Sequence, residues 1–369
     1  MNINNLNIIS FFSGAGFLDL GFENSGYKMA FVNEYNEDFL KVYKFARKNM
    51  KIEEPTYGYY CGDINDFLDG KQENLKEIIT NLGSDSLVGF IGGPPCPDFS
   101  IAGKNNGIEG SNGRLTLSYK NVIIKFKPDF FVFENVKGLW TTKKHRKEYE
   151  KIKIELSKNG YVLIDRLNNA LEYGVPQDRE RVFLVGVKST LINSDYDKAQ
   201  NYLLERFEWG TKYQLDKIKV LKWPTINKYS LESKLECPLN IIKEITVEYW
   251  FIKNSVDTHY NKDDYFIPHS KERFSTIDEG DVIKKSFKRL HRWRYSPTVA
   301  YGNNEVHLHP YKARRLTVAE ALALQSLPVE FIVSKDLTKS NMFKTIGNGV
   351  PYLMAKGIAE QIKKFLIEI

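Results

Sequence analysis

Across the first 190 residues, short apolar runs alternate with amphipathic stretches, and this alternation constrains the fold more than any other feature. The runs "NIISFF" (from Asn7), "MAFVNEY" (from Met29), "LVGFIGG" (from Leu87), "DFFVFENV" (from Asp129), "YVLIDRLNNA" (from Tyr161) and "RVFLVGV" (from Arg181) read as strands, and "YYCGDI" ends another short one. Between them, "FLDLGFENSG" reads as a helix stopped by Gly26, and "LTLSYKNVIIKF" as a helix that ends at Pro128. Strands alternating with helices in this way make a parallel sheet with crossover helices. After about Thr190 the alternation is lost, and Pro224, Pro238, Pro268 and Pro297 punctuate a stretch expected to be irregular or β structure. From Arg314 order returns, with helices over "TVAEALALQSL" and "YLMAKGIAEQIKKFLIEI". The expectation is an α/β protein: a doubly wound, mostly parallel sheet in residues 1–188 plus 314–369, and a smaller, irregular or β-rich unit in 189–313.

The three cysteines, Cys61, Cys96 and Cys237, are too few and too scattered for a disulfide framework or a Cys-rich zinc site. No apolar run approaches the roughly 18 residues that a membrane span needs. The opening "MNINNLNIISFF" lacks the basic start and small-residue cleavage site of a signal peptide. A cytoplasmic protein with reduced thiols is expected. Net charge is only +7, but from Val282 to Asn304 there is no acid, while "KKSFKRLHRWR" carries Lys284, Lys285, Lys288, Arg289, Arg292 and Arg294. Such a stretch is either a solvated face or a patch for a polyanion.

In an open doubly wound sheet, ligands bind beyond the carboxyl ends of the strands. The isolated acids and one cysteine fall there: Ser13-Gly14-Ala15-Gly16 follows the first strand, Glu34 closes the second, Asp63 follows the next, Cys96 follows "GFIGG", and Glu134 closes "FFVFE". "GAGFLD" has Asp19 where a dinucleotide fingerprint needs its third glycine. A tight glycine turn with an acid one strand later suits a nucleoside cofactor without a pyrophosphate, such as S-adenosylmethionine. Cys96, set behind Pro94 and Pro95, is either an ordinary residue of a strand-to-loop turn or a thiol that the turn presents, and the thiolate is the nucleophilic form. The stretch after it, with Gly103, Gly107, Gly110 and Gly113, reads as a flap that closes over a substrate.

Taken in order, these blocks resemble a DNA (cytosine-5)-methyltransferase of the bacterial restriction–modification type. The matching motifs are "FSGAGFLDLGF" from Phe12, "NEY" with Glu34, "GDI" with Asp63, "GGPPCPDFS" around Cys96, "RLTL" from Arg114, "ENVKG" from Glu134, "VPQDRERVF" from Val175, "RRLTVAEALALQSLP" from Arg314 and "TIGNGVP" from Thr345. The gap from Lys188 to Ala313 falls where that family keeps its variable target-recognition domain.

The resemblance implies a Rossmann-like S-adenosylmethionine-dependent methyltransferase fold acting on double-stranded DNA. It implies that Cys96 adds to cytosine C6, that Glu134 serves N3, that Arg181 holds O2, and that Arg179 supports the loop or the carboxylate. It assigns the cofactor to Phe12, Gly14, Gly16, Glu34, Tyr35, Asp63, Ile64, Pro95, Leu117, Asn348 and Val350. Because Asn348 and Val350 lie near the C-terminus, the last helix should return beside the first strand. DNA contacts are expected from Ser100, Lys288, Arg289, Arg292, Arg294 and Thr298. A monomer is expected, and a cognate restriction endonuclease is implied by analogy only. One departure stands out: Pro97 occupies the place where the family most often has Gln, removing a backbone donor and a side-chain amide. A tRNA-methylating branch carries a different tripeptide after its Pro-Cys, which "CPDFS" does not match. A catalytically dead relative would lack Cys96 or Glu134. His307 and His309, two histidines at strand spacing without a third ligand, read as a surface or recognition strand and not as a metal site.

Overall fold

The computed structural model describes residues 5–72, 74–83, 85–95, 111–267, 271–284, 286–299, 301 and 305–369. Its strands are β1 (Leu6–Phe11), β2 (Lys28–Glu34), β3 (Tyr59–Cys61), β4 (Leu87–Gly92), β5 (Phe130–Val136), β6 (Tyr161–Asn169), β7 (Gln177–Asp178), β8 (Glu180–Lys188) and β9 (Ser296–Pro297). Seven of them form one sheet in the order β3-β2-β1-β4-β5-β8-β6, in which only β8 runs against its neighbours. The chain leaves β1 toward β2 and β3, then returns to the other side of β1 at β4. That reversal opens a crevice at the carboxyl ends of β1 and β4.

Strand alternation divides the core. Leu6 and Ile8 face one layer with Phe22, Phe130 and the C-terminal helix Tyr352–Glu368. Ile9 and Phe11 face the other, with Phe31, Phe90, Tyr119 and Phe133. The helices that cover the sheet near the crevice are α1 (Phe17–Glu23), α2 (Glu37–Met50), α3 (Asn74–Asn81) and α4 (Ser111–Phe126). Local rules define α2 well: Asn36 caps it by accepting from Phe39 N at 3.2 Å, Glu37 and Asp38 occupy its first turn, and Lys51 ends it in the left-handed region. The expected return of the C-terminus is present. Tyr27 Oη donates to Ala359 O at 3.0 Å and Lys363 Nζ to Ser25 O at 2.9 Å, seating the last helix on α1 and β1.

The stretch 189–313 is irregular, as expected, but its regular pieces are mostly helical rather than β. Among the described residues they are short helices, such as Tyr196–Arg206, Leu215–Lys219 and Val247–Lys253, and the two-residue β9. Among the described residues its aromatics do not fall into a sustained alternation, and its ladders are limited to the two-residue β7–β9 pair and isolated bridges. Side-chain bonds to carbonyls add to scattered backbone bonds in holding the chain. Nor does packing break at the expected boundaries. Ala199, Leu203 and Phe207 join the sheet's core. Val247, Trp250, Phe251 and Val299 share a core with Phe17, Leu322 and Phe343. Among the described residues no helix is long and apolar enough to cross a membrane.

Candidate active site

Register lines up the site. Phe11 pairs with Asn33 on one side and Gly92 on the other, Gly92 with Phe133, and Asn33 with Tyr60. The next residue on each strand therefore lies in one row at the crevice: Phe12, Glu34, Cys61, Gly93 and Glu134. Three of these five, Phe12, Glu34 and Glu134, were singled out in the sequence, and Cys61 and Gly93 each stand two positions before another, Asp63 and Pro95. β8 reaches the same edge from the opposite direction, pairing Val136 with Arg181.

The glycine turn after β1 is left-handed at Phe12, Gly14 and Gly16, with φ of 53°, 57° and 75°. Nothing lies within 4 Å of where a Gly14 Cβ would stand, so backbone is open to an approaching ligand there. A Gly16 Cβ would run into the Tyr43 ring and come within 2.6 Å of the Arg47 guanidinium. Glu34 spans the turn, with Oε2 accepting from Gly14 N and Oε1 from Asn36 N, both at 2.7 Å. Burial raises its carboxyl, against the pull of the Asn36, Gly14 and Tyr35 N–H groups. Tyr35 beside it is 74% exposed, an unusually open aromatic face. Asp63 caps the short turn Ile64–Phe67 through Oδ1, which accepts from Asn65 N at 2.8 Å, while Ile64 is buried. Ser118 of α4 donates to Asn65 Oδ1 at 2.7 Å, so Leu117 and the Asp63 turn are held together. Asn348 is exposed and Val350 buried just beyond the helix Lys339–Asn348, whose end faces α1 where Gly349 meets Phe17.

Glu134 is the buried centre of the other half. Arg181 Nε lies 3.1 Å from its Oε1, and a Cβ on Gly93 would come within 2.6 Å of its Oε2. Only glycine lets this carboxyl lie against the backbone two residues before Pro95. Burial raises the Glu134 carboxyl above its usual range, and Arg181 and then Arg179 pull the other way. The Arg179 guanidinium donates to Val299 O at 3.0 Å, Gly347 O at 2.9 Å and Gly349 O at 3.0 Å. It thus braces the chain at Val299 and around Asn348, while its charge also acts on the Glu134 carboxyl. Pro95 is exposed, and Cys96, Ser100, Gly103, Gly107 and Gly110 lie outside the described residues, whereas Gly113, expected in the flap, is a buried residue of α4.

The expected DNA patch needs correction. Arg289 and Arg292 are 0% and 3% exposed. Arg289 donates to the carbonyls of Phe274, Ile277, His309 and Lys312. Arg292 forms a buried pair with Glu279 at 2.8 Å and also donates to Ser233 Oγ at 2.7 Å. A chain with few ladders leaves carbonyls to be satisfied, and guanidinium groups with five donors serve that need. Both arginines are internal braces and are not available to phosphates. Lys288 and Arg294 are partly exposed, and Thr298 is exposed with its hydroxyl donating to Asp178 O at 2.6 Å. His307 and His309 are core residues rather than surface ones, and burial pushes His307 down to about 3.

Three participants were passed over in the sequence. Arg47 is buried beneath the glycine turn, donating to Ala15 O at 3.1 Å, Gly16 O at 2.6 Å and Glu23 Oε2 at 2.9 Å. Its signal was available, since Arg47 stands four residues after Tyr43 and eight after Phe39 on the apolar face of α2. Asp19 accepts from Ser10 Oγ at 3.0 Å and is pushed up to about 7, mainly by burial and against the charge of Arg47. Gln325, within "LALQSLP", donates to Ile346 O at 2.6 Å, and nothing in its local pattern marks it.

The comparisons with known proteins agree with this geometry. The model of the C-5 cytosine-specific DNA methylase family matches residues 6–364. The chain is 53% identical over 364 residues to the Type II methyltransferase M.NmeDI of Neisseria meningitidis serogroup C, covering 97% of this chain and 84% of that protein. It is 29% identical to the Type II methyltransferase M.FnuDI of Fusobacterium nucleatum, with 98% and 96% covered. Among solved structures, a prophage-encoded DNA modification methyltransferase of E. coli shares the fold with a TM-score of 0.67 at 22% identity, covering 99% of this chain and 100% of that one. With a family match along almost its whole length, the chain belongs to the C-5 cytosine-specific DNA methylases, which use S-adenosylmethionine.

Proposed function

We propose that the protein methylates C5 of a cytosine flipped out of duplex DNA at one short target sequence, through a covalent adduct with Cys96. The observation that carries the reading is the Glu134 carboxyl, raised by burial, paired with Arg181 and lying against Gly93, three residues from the cysteine.

The chemistry follows from what cytosine lacks. C5 is a poor nucleophile, and addition of the Cys96 thiolate to C6 opens the C5–C6 double bond and makes C5 enamine-like. The electron pair moves toward N3, where Glu134, holding its proton because burial favours the neutral acid, donates to the ring. Arg181 orients that carboxyl and reaches O2 of the base. When bound, S-adenosylmethionine supplies an electrophilic methyl on a sulfonium. Once C5 carries the methyl, water takes the C5 proton, the freed electron pair expels Cys96 as a thiolate, and N3 returns its proton to Glu134, restoring the aromatic ring.

The crevice fits that cofactor. Open backbone at Gly14 leaves room, Glu34 is positioned for ribose hydroxyls, Tyr35 offers a ring face to the adenine, and Asp63 with Ile64 borders it, while Phe12, Gly16, Pro95, Leu117, Asn348 and Val350 complete the wall. Residues 1–188 and 314–369 would form the catalytic unit, and 189–313 the recognition unit, with its helix Tyr196–Arg206 serving the sheet. Extruding the base costs a few kcal/mol, which contacts from the flap with Ser100 and from Lys288, Arg294 and Thr298 would offset. The protein would act as a monomer on duplex DNA in the bacterial cytoplasm; a paired restriction endonuclease is suggested by the Type II relatives.

The test is transfer of labelled methyl to plasmid DNA, followed by bisulfite sequencing. Protected cytosines in one recurring sequence are expected, with Cys96→Ser losing transfer and keeping DNA binding. Absence of transfer by the folded protein would overturn the reading.

A further inference from the structure

One peptide of the recognition stretch is held on both sides by buried side chains that also hold the loop around Asn348. Val299 N donates to Gln177 Oε1 at 3.1 Å, and Val299 O accepts from Arg179 Nη1 at 3.0 Å. Gln177 Nε2 in turn donates to Leu324 O at 3.1 Å and to Gln325 Oε1 at 3.2 Å. Gln325 Nε2 then donates to Ile346 O at 2.6 Å, and Arg179 Nη2 reaches Gly347 O and Gly349 O at 2.9 and 3.0 Å. Gln177 and Gln325 are fully buried and Arg179 nearly so. The carbonyls they grip, 346, 347 and 349, flank Asn348 on both sides, while the peptide they clamp adjoins the exposed Thr298.

The arrangement is more than a core amide pair requires. β7 and β9 are two residues each and would scarcely fix 296–299 by themselves. Two parallel polar links, one through both glutamines and one through Arg179, instead tie this segment to the end of the helix Lys339–Asn348. Each amide in the chain is oriented by the next, since flipping Gln325 to offer an acceptor to Gln177 is what aims its NH2 at Ile346 O. A displacement of the Val299 peptide thus cannot be absorbed by a neighbouring water or a free rotamer, and must be met at the carbonyls around Asn348 or break a buried bond.

We propose that Gln177 and Gln325 are positioning residues that couple occupancy of the cofactor pocket to DNA held on the Thr298–Val299 segment. This rests on the reading of Asn348 as a cofactor residue and Thr298 as a DNA contact. Coupling between two sites is reciprocal, so each ligand must change the affinity for the other by one common factor.

The experiment measures binding of S-adenosylhomocysteine to the full chain by calorimetry, alone and with a saturating duplex that carries the target mapped by methylation sequencing. The wild-type protein should bind the cofactor product about fivefold or more tighter with the duplex present. In Gln325→Met, which loses both amide ends, that ratio should fall below about twofold, while affinity for each ligand alone changes little. Gln177→Glu is the second variant, because it keeps the acceptor for Val299 N and, above the carboxyl's titration, sets an oxygen instead of an NH2 against Leu324 O and Gln325 Oε1. A folded Gln177→Glu protein that keeps the full ratio would overturn the proposal even if Gln325→Met failed to fold, and so would a wild-type ratio of one. Failure of the wild-type protein to bind either ligand alone would instead overturn the reading of the two sites. A merely structural role would lower both affinities together and leave their ratio intact.

Discussion

At the scale of single residues, the site depends on what small or buried groups permit. Gly93 matters for the atom it lacks. Gly93→Ala would push the Glu134 carboxyl out of its pocket, because the added carbon would stand 2.6 Å from Oε2. A positioned acid contributes about 10²- to 10⁴-fold to a rate. The single-turnover methylation rate should therefore drop at least about 100-fold, while thermal unfolding by circular dichroism shifts little. Asp19 gives a different signal. Its carboxyl is pushed from 3.8 to about 7 in the folded chain, so between those values the folded state holds a proton that the unfolded chain releases. Stability is then lost as pH rises from near 4 through about 7, and is flat above. Asp19→Asn should show a smaller loss of urea stability between pH 5 and pH 8 than the wild-type protein; an equal loss would place the dependence elsewhere.

At the scale of elements, what could be read from sequence was what short-range physics fixes. The strands announced themselves because both faces of a mostly parallel sheet are buried, so β1, β4 and β5 are nearly continuous apolar runs closed by a functional residue. Glu134 and Glu34 were legible for that reason. The stretch 189–313 was not, since its backbone is satisfied by side chains distant in sequence. Arg289 illustrates the failure: a cation in an acid-free run reads as surface, yet it serves carbonyls up to 23 positions away. Arg47 and Gln325 were missed similarly, because their partners sit on other elements. It follows that Arg292→Gln, which leaves Glu279 buried without its cation, should cost about 3–5 kcal/mol in urea unfolding. Intact stability in that variant would return Arg292 to the surface role that its sequence first suggested.

At the scale of the whole molecule, charge that is spent internally cannot serve DNA. If Lys288 and Arg294 each meet one phosphate, replacing both with Gln should reduce the slope of log affinity against log salt by about two, measured by fluorescence anisotropy on a fixed duplex. An unchanged slope would move the backbone contacts to other cations. The same view gives meaning to the last helix. Tyr27 and Ala359 are bonded across 332 positions, and Ser25 and Lys363 across 338. One layer of the sheet's core is thus supplied by a segment more than 330 positions away along the chain. Motifs from Phe12 to Arg181 therefore lean on a helix they do not encode. A fragment cut before Tyr352 should leave the apolar face of α1 bare and fail to bind S-adenosylhomocysteine, so that reading the first half of the chain and building it are separate matters.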